Sequence, residues 1–438
     1  MQGFPFSTSF WFDDEIGASP PLRRDSQTEV VIIGGGFAGL SSAYYLRRCD
    51  PDIHITLIEA KHIGFGASGR NAGFVMNLPP LLWLLDDLAN AQRVDDIRWT
   101  TAMILEHINA MGFLLEAESI DAEWTHTQHM LVARNCIEAA TLRWLATRFT
   151  AAGLESSYYN GDATQMIGYP ARAVLTFPVV LMHPYKLARG LQALLTRHDV
   201  QVFEQSPVTQ IASDGKDVVV KTSGGTIRAQ KAVLTTNAYI DRGALQTNIA
   251  LPKASIYHTY LLATELLSPE LQQCISPTGQ PFADPSGSFF YGRLHDNRLL
   301  FGGIDRESRN TLADDHHLPS FERLYAEMLR RFPVLANVPL AAAWGGAVQE
   351  TSTKAPIVRY ADSNRNLVLN TGYGGGSGVG MGLLSGRLVA ALIFEDATDV
   401  DALRLIDLYE RSRFPLLGPV RTATGVVKQM LLGWFREL

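Results

Sequence analysis

Only three cysteines, Cys49, Cys136 and Cys274, occur in 438 residues, and no two of them form a Cys-x-x-Cys pair. That spacing excludes a zinc ribbon or dithiol motif, and scattered thiols fit a reducing compartment in which they act as small core fillers. No lysine or arginine block is present and the net charge is −6. The concentrated positive charge that nucleic acid demands is therefore missing. No apolar run approaches the roughly 18 to 20 residues of a bilayer span; residues 78–85 and 430–435 are far shorter. Residues 1–24 lack a basic segment followed by an apolar core, so the expectation is a cytoplasmic protein without a signal peptide. There is no His-Glu-x-x-His, no Gly-x-Ser-x-Gly and no third ligand near His126 and His129, so no metal is expected.

What remains is the composition of a globular protein, 46% hydrophobic and 19% charged, long enough for two domains. Phe4, Phe6, Phe10, Trp11 and Phe12 are too dense to stay solvated and predict an N-terminal arm packed on the body. Residues 29–33 read as a buried parallel strand, 37–48 as a helix and 53–58 as a second strand, which together make a βαβ unit. Residues 81–150 show mostly helical spacing, and 184–195 form another helix. Strands follow at 200–204, 208–211 and 231–235, with a hairpin over 217–229 around Gly224 and Gly225. Beyond residue 250, strands at 255–263, 288–294, 298–303 and 339–344 and a helix at 321–332 predict an antiparallel sheet with helices. A strand at 367–369, a glycine-rich loop at 372–382 and a helix at 383–394 follow.

Gly34, Gly36 and Gly39 form Gly-x-Gly-x-x-Gly between the first strand and helix. Gly34 permits the tight turn, Gly36 lets the backbone approach a pyrophosphate, and Gly39 lets helix and strand pack closely; Phe37 and Ala38 open the helix whose N-terminus faces the phosphates. Glu59 ends the second strand and Ala60 follows it. A carboxylate there accepts both ribose hydroxyls of an adenosine and disfavours a 2′-phosphate. The motif does not separate FAD from NAD.

The segment Gly64-Phe65-Gly66-Ala67-Ser68-Gly69-Arg70-Asn71-Ala72-Gly73 does. With the fingerprint it resembles the D-amino-acid oxidase, glycine oxidase and sarcosine oxidase superfamily of FAD-dependent amine oxidoreductases, and most of all the branch containing gamma-glutamylputrescine oxidoreductase. The likeness extends to His183-Pro184-Tyr185-Lys186-Leu187, to 261–265, to 298–303, to Trp344-Gly345-Gly346 and to the late loop 372–380. It implies a Rossmann-like FAD-binding domain (1–90, 175–250 and 345–438) interleaved with an antiparallel-sheet substrate domain (91–174 and 251–344), an α/β fold with an α+β second part. It implies cofactor contacts from Ala67, Ser68, Arg70, Asn71, Ala72 and Gly73, from Val208 to adenine, and from Thr236 and Asn237. Gly372, Gly375, Gly376, Ser377, Gly378 and Val379 would aim backbone N–H groups at the flavin. Some sarcosine oxidases attach flavin to a late cysteine; none follows Cys274 here, so FAD is expected to be noncovalent. Those oxidases also carry a lysine that promotes reaction with oxygen, where this chain has Leu300, so the acceptor is oxygen or another oxidant.

The resemblance implies oxidation of an amine C–N bond, with hydride passing to flavin N5 and the imine hydrolysing in water. Candidate substrate contacts are His258 and Tyr260, which alternate on one strand, and Tyr291 and Arg293 on the next. An arginine there can pair a carboxylate, and a tyrosine can bond or cage an amine. Lys354 is a further candidate near the flavin. Two other readings stay open: a flavin monooxygenase using NAD(P)H, and a noncatalytic flavoprotein subunit.

Overall fold

The computed structural model describes residues 3–13, 17–79, 91–239, 245–248, 251, 254–284, 289–307, 314–351, 355–361, 363–374 and 376–411. Strand Ser26–Ile33 ends in four consecutive buried residues, as a parallel strand covered on both faces must. It pairs in parallel with Thr226–Leu234 on one side and Ile55–Ile58 on the other, and Ile55–Ile58 pairs onward with Gln201–Phe203. Thr226–Leu234 is one continuous strand where the sequence suggested a hairpin arm and a separate strand. Its first part, Thr226 to Ala229, runs antiparallel to Val218–Thr222, and its second, Ala232 to Leu234, parallel to Leu367–Thr371. One long strand thus serves two partners along the same edge.

Helix Phe37–Cys49 lies against helix Gly378–Ile393. The approach is close because Gly386 has no side chain: a Cβ there would stand 2.2 Å from the Ser41 carbonyl oxygen. The second helix begins at Gly378, inside the stretch read from sequence as a loop through residue 382. Glycine is a poor helix former in isolation, and here tight packing overrides propensity.

The second sheet runs Leu340–Glu350, Ser255–Thr264, Arg298–Glu307, Phe290–His295, Phe282–Asp284, Thr125–Ala133, Ala173–Leu181 and Phe74–Met76. Neighbours are antiparallel except Phe282–Asp284 beside Thr125–Ala133. Asp296 and Asn297 both have positive φ, the two-residue turn whose twist suits a hairpin. Thr125–Ala133 corrects the mostly helical reading of 81–150: it separates helices Ala91–Ala117 and Cys136–Ala151. Its second half is a continuous buried run, for which periodicity cannot tell strand from helix. Its partner, Ala173–Leu181, had no sequence reading at all, and it and Phe74–Met76 place segments from both sides of the expected 90 and 175 boundaries in this sheet.

The N-terminal arm packs as its aromatics predict. Phe4 meets Phe321 at 5.7 Å between ring centroids, and Phe10 stacks on Trp344 at 6.0 Å. Trp11 is buried. The three cysteines are exposed, not core fillers. Among the described residues no helix is long and apolar enough to cross a membrane.

Candidate functional site

A cavity lies where loops of the first sheet meet one face of the second. Gly34, at φ +113°, makes the turn into it. A Cβ on Gly39 would stand 2.0 Å from the Gly34 carbonyl oxygen, so only glycine lets the helix start against the strand. Gly36, Phe37 and Ala38 line the cavity, and Gly36, the N-cap of the helix behind them, has no side chain to cap it. Glu59 is half-buried and its neighbour Ala60 exposed. Burial raises the Glu59 pKa, opposed by backbone N–H donors. Its Oε2 accepts from Gly35 N at 2.8 Å and Oε1 from Lys61 N at 3.0 Å. The chain passing Val208 is tied to this acid, because Ser206 N donates to the Glu59 carbonyl at 2.9 Å.

Ala67, Ser68, Arg70, Asn71 and Ala72 line the same cavity. Ser68 Oγ accepts from Phe37 N at 2.9 Å and so joins this segment to the first helix. The Asn71 side chain braces its own loop: Nδ2 donates to the Ala67 and Ser68 carbonyls and Oδ1 accepts from Gly73 N. Gly73, at φ +80°, stands outside the lining, and its carbonyl accepts from Met182 N and Arg293 Nη1. Arg70 is buried; Nε donates to the Phe65 carbonyl at 2.8 Å, and Nη1 to Asp315 Oδ2 at 2.6 Å and the Gly345 carbonyl at 3.0 Å. Its Nη2 is buried with no hydrogen-bond partner among the described residues.

Asn237 lines the opposite wall, where its Oδ1 accepts from Gly372 N at 3.1 Å. Gly376, Gly378 and Val379 reach the cavity, whereas Gly372 and Ser377 do not line it and Gly375 lies outside the described residues. The helix starting at Gly378 also has no cap from its own N-cap residue, so two helix N-termini converge on one space, the first with its Phe37 N–H bonded to Ser68 Oγ. Thr236 does not line the cavity, although its Oγ1 is buried with no partner among the described residues.

The second sheet supplies the other wall, with the opposite face of Ser255–Thr264 from the one the sequence suggested. Tyr257, Thr259 and Leu261 line the cavity. His258 and Tyr260 point behind it, His258 Nε2 to Asp315 Oδ1 at 3.1 Å and Tyr260 Oη donating to the Asp314 carbonyl at 3.1 Å. Alternation says which residues share a face, not which face is inward. Tyr291 does line the cavity, its hydroxyl 3.3 Å from Thr259 Oγ1. Arg293 does not; it is buried against Trp11, with its guanidinium 5.3 Å from the ring, and burial lowers its pKa to about 10. Leu300 sits in a buried apolar cluster with Trp344, outside the lining. Lys354 lies outside the described residues.

Phe74, His129, Phe289, Asp305 and Tyr373 complete the wall, and sequence reasoning missed all but Tyr373, which stood unassigned within the late loop motif. His129 is buried between Phe74 and Phe177, and burial pushes its pKa down to about 4, so the ring is neutral near pH 7. His126, three residues earlier on the same strand, falls on the other face and is exposed, so the two cannot share a metal. Glu123, His183 and His295 do cluster closely enough for a cation. Other partners already engage them: Lys186 Nζ is 2.7 Å from Glu123 Oε1, His183 Nδ1 accepts from Lys186 N, and Arg293 donates to His295 Nδ1 at 3.3 Å.

A large ligand with an anionic middle fits the first wall, where the orphaned Arg70 Nη2 and two helix N-termini supply donors. The family model described as FAD dependent oxidoreductase (DAO) matches residues 29–392. The chain is 30% identical over 397 residues to gamma-glutamylputrescine oxidoreductase of Escherichia coli (strain K12), covering 89% of this chain and 88% of that protein. It is 27% identical over 417 residues to the probable oxidoreductase OrdL of Haemophilus influenzae, covering 89% and 88%. The crystal structure of glycine oxidase from Geobacillus kaustophilus superposes with a TM-score of 0.68 at 20% identity, over 86% of this chain and 98% of that one.

Proposed function

The chain belongs to the FAD dependent oxidoreductase family, and from that premise we propose that it oxidises the C–N bond of an amine, secondary or primary, of the gamma-glutamylputrescine or N-substituted amino-acid kind. The cofactor is FAD, held without a covalent bond in this reading. Gly34, Gly36, Phe37, Ala38 and Gly39 hold its diphosphate, Glu59 with Ala60 the ribose, and the chain at Val208 the adenine. Ala67, Ser68, Arg70, Asn71, Ala72, Asn237, Gly376, Gly378 and Val379 surround the rest. When bound, FAD supplies the hydride acceptor.

The observation that carries the reading is the second wall: aromatic Phe74, Tyr257, Phe289 and Tyr291 with the carboxylate of Asp305 around one opening. Aromatic rings and a carboxylate attract an ammonium group. An amine must shed its proton before oxidation; in this reading it loses it to water on entry, because burial keeps His129 on the same wall neutral and against taking up a proton, so that its ring can only hydrogen-bond the amine. In this reading the aromatic rings along the wall limit water at the reacting carbon, and the imine hydrolyses after release. His258, Tyr260 and Arg293 act from behind the wall in this reading.

The test is anaerobic mixing of holoenzyme with an amine panel, read at the flavin absorbance band. Bleaching by an amine without nicotinamide is expected. Bleaching only by NAD(P)H would instead identify a monooxygenase, and none by either a noncatalytic flavoprotein. Reoxidation by air against an artificial acceptor then assigns the oxidant.

A further inference from the structure

Arg70 is held from behind by a buried acid–base pair. Asp315 reaches it with one carboxylate oxygen, Oδ2, at 2.6 Å and reaches His258 Nε2 with the other, Oδ1, at 3.1 Å. Both the Arg70 and the His258 side chains are almost wholly buried. The guanidinium plane also covers the Phe65 ring at 4.5 Å. Three of its hydrogen bonds thus point away from the cavity, and Nη2, which carries the remaining donors, has no partner among the described residues. A buried donor left unmade costs about 1–3 kcal/mol, so this one is arranged for an acceptor that the cavity receives.

We propose that Asp315 and His258 are positioning residues that act through Arg70: they fix its guanidinium toward the FAD and set the net charge it presents. The inference rests on FAD lying beside Arg70, and not on the identity of the amine. The carboxylate compensates the guanidinium. Removing that negative charge leaves an uncompensated cation at the cavity wall, in a buried place where screening is weak. A cation there favours the electron-rich reduced cofactor over the oxidised one. His258 occupies the second carboxylate oxygen and so keeps Asp315 from turning away. The loop bearing Asp315 packs behind the cavity wall, where the Asp315 carbonyl comes within 2.6 Å of where a Cβ on Gly345 would sit.

The test is Asp315→Asn in the holoenzyme, read by the midpoint potential and by sulfite affinity, neither of which needs the amine substrate. Sulfite should bind about tenfold tighter, and the potential should rise by the equivalent of about 30 mV for a two-electron couple. Asp315→Glu keeps the charge and should restore the wild-type potential. An unchanged or lowered potential in Asp315→Asn, with FAD retained, overturns the proposal. If Asp315→Asn does not retain FAD, the glutamate variant decides: FAD held at an unshifted potential supports the charge role, and loss of FAD from both overturns it.

Discussion

Trp11 donates its indole N–H to the Asn71 carbonyl oxygen at 2.8 Å. The bond is one of three in a row. Ser9 Oγ donates to the Gly69 carbonyl at 2.8 Å, and Trp344 Nε1 to the Arg70 carbonyl at 2.8 Å. Three successive carbonyls of the cavity loop are therefore held by groups from the N-terminal arm and from strand Leu340–Glu350. That leaves the opposite side of the loop free to face the cofactor.

The first prediction follows. Trp11→Phe keeps the aromatic packing and removes one donor to a part-buried carbonyl. A lost bond of this kind is worth about 1 kcal/mol. The FAD dissociation constant, titrated by flavin fluorescence, should rise about fivefold, with the melting temperature of the apoprotein little changed. Equal FAD affinity in the variant would mean the strap stabilises the fold and not the loop.

A second prediction concerns Glu59. Its carboxylate already binds Gly35 N and Lys61 N, which fixes its orientation, and on the proposed reading its free lone pairs meet a ribose. Glu59→Ala frees both amides and removes the charged acceptor, and hydrogen bonds to charged groups are worth about 1.5–3 kcal/mol. FAD binding should weaken at least tenfold; an unchanged constant refutes the ribose assignment. Denaturing the wild-type protein should release all its yellow colour, because no cysteine follows Cys274 to tether the flavin.

Local patterns were legible in the sequence where they were self-contained. The turn at Gly34, the helix after it and the acid at Glu59 depend on neighbours within one βαβ unit. The hairpin turn at Asp296 and Asn297 is equally local. Thr125–Ala133 is hidden within a mostly helical stretch because its burial comes from Ala173–Leu181, a partner some forty residues on. The inward face of Ser255–Thr264 was misjudged for a related reason. His258 and Tyr260 looked chemically apt, yet their polar atoms are used by Asp315 and Asp314, which no spacing rule connects to that strand. His129 carried no signal beyond its spacing of three from His126, which bears on a metal and not on this cavity.

Histidine burial predicts how stability changes with acid. His107 and His129 are both buried, and burial lowers each pKa from 6.5 to about 4. The folded state disfavours the proton that the unfolded state takes up below about pH 6.5. Stability is therefore full above that pH and falls as pH drops toward 4, beyond which these two groups add nothing further. Each contributes a loss of about 2 kcal/mol between pH 7.5 and 5. His107→Gln, beside Tyr45 and away from the cavity, should show a shallower fall over that window in urea melts. An identical pH slope would remove His107 from the account.

The two faces of Ser255–Thr264 give the last prediction, a separation of binding from stability. Thr259 Oγ1 and the Tyr291 hydroxyl stand 3.3 Å apart in the cavity wall, one on each of two strands flanking Arg298–Glu307. Thr259→Val and Tyr291→Phe each remove a hydroxyl with little change in shape. If the pair orients the amine, each should raise KM about three- to tenfold, the scale of one neutral hydrogen bond. Because each hydroxyl partners the other, the double variant should cost less than the two single effects combined. FAD affinity should not move. Tyr260→Phe removes a hydroxyl from the hidden face, where it bonds the Asp314 carbonyl. That change should lower the melting temperature and leave KM alone. Should Tyr260→Phe raise KM as much as Tyr291→Phe, the assignment of faces to substrate and to support would fail, because a residue facing away from the cavity would then govern binding as directly as one within it.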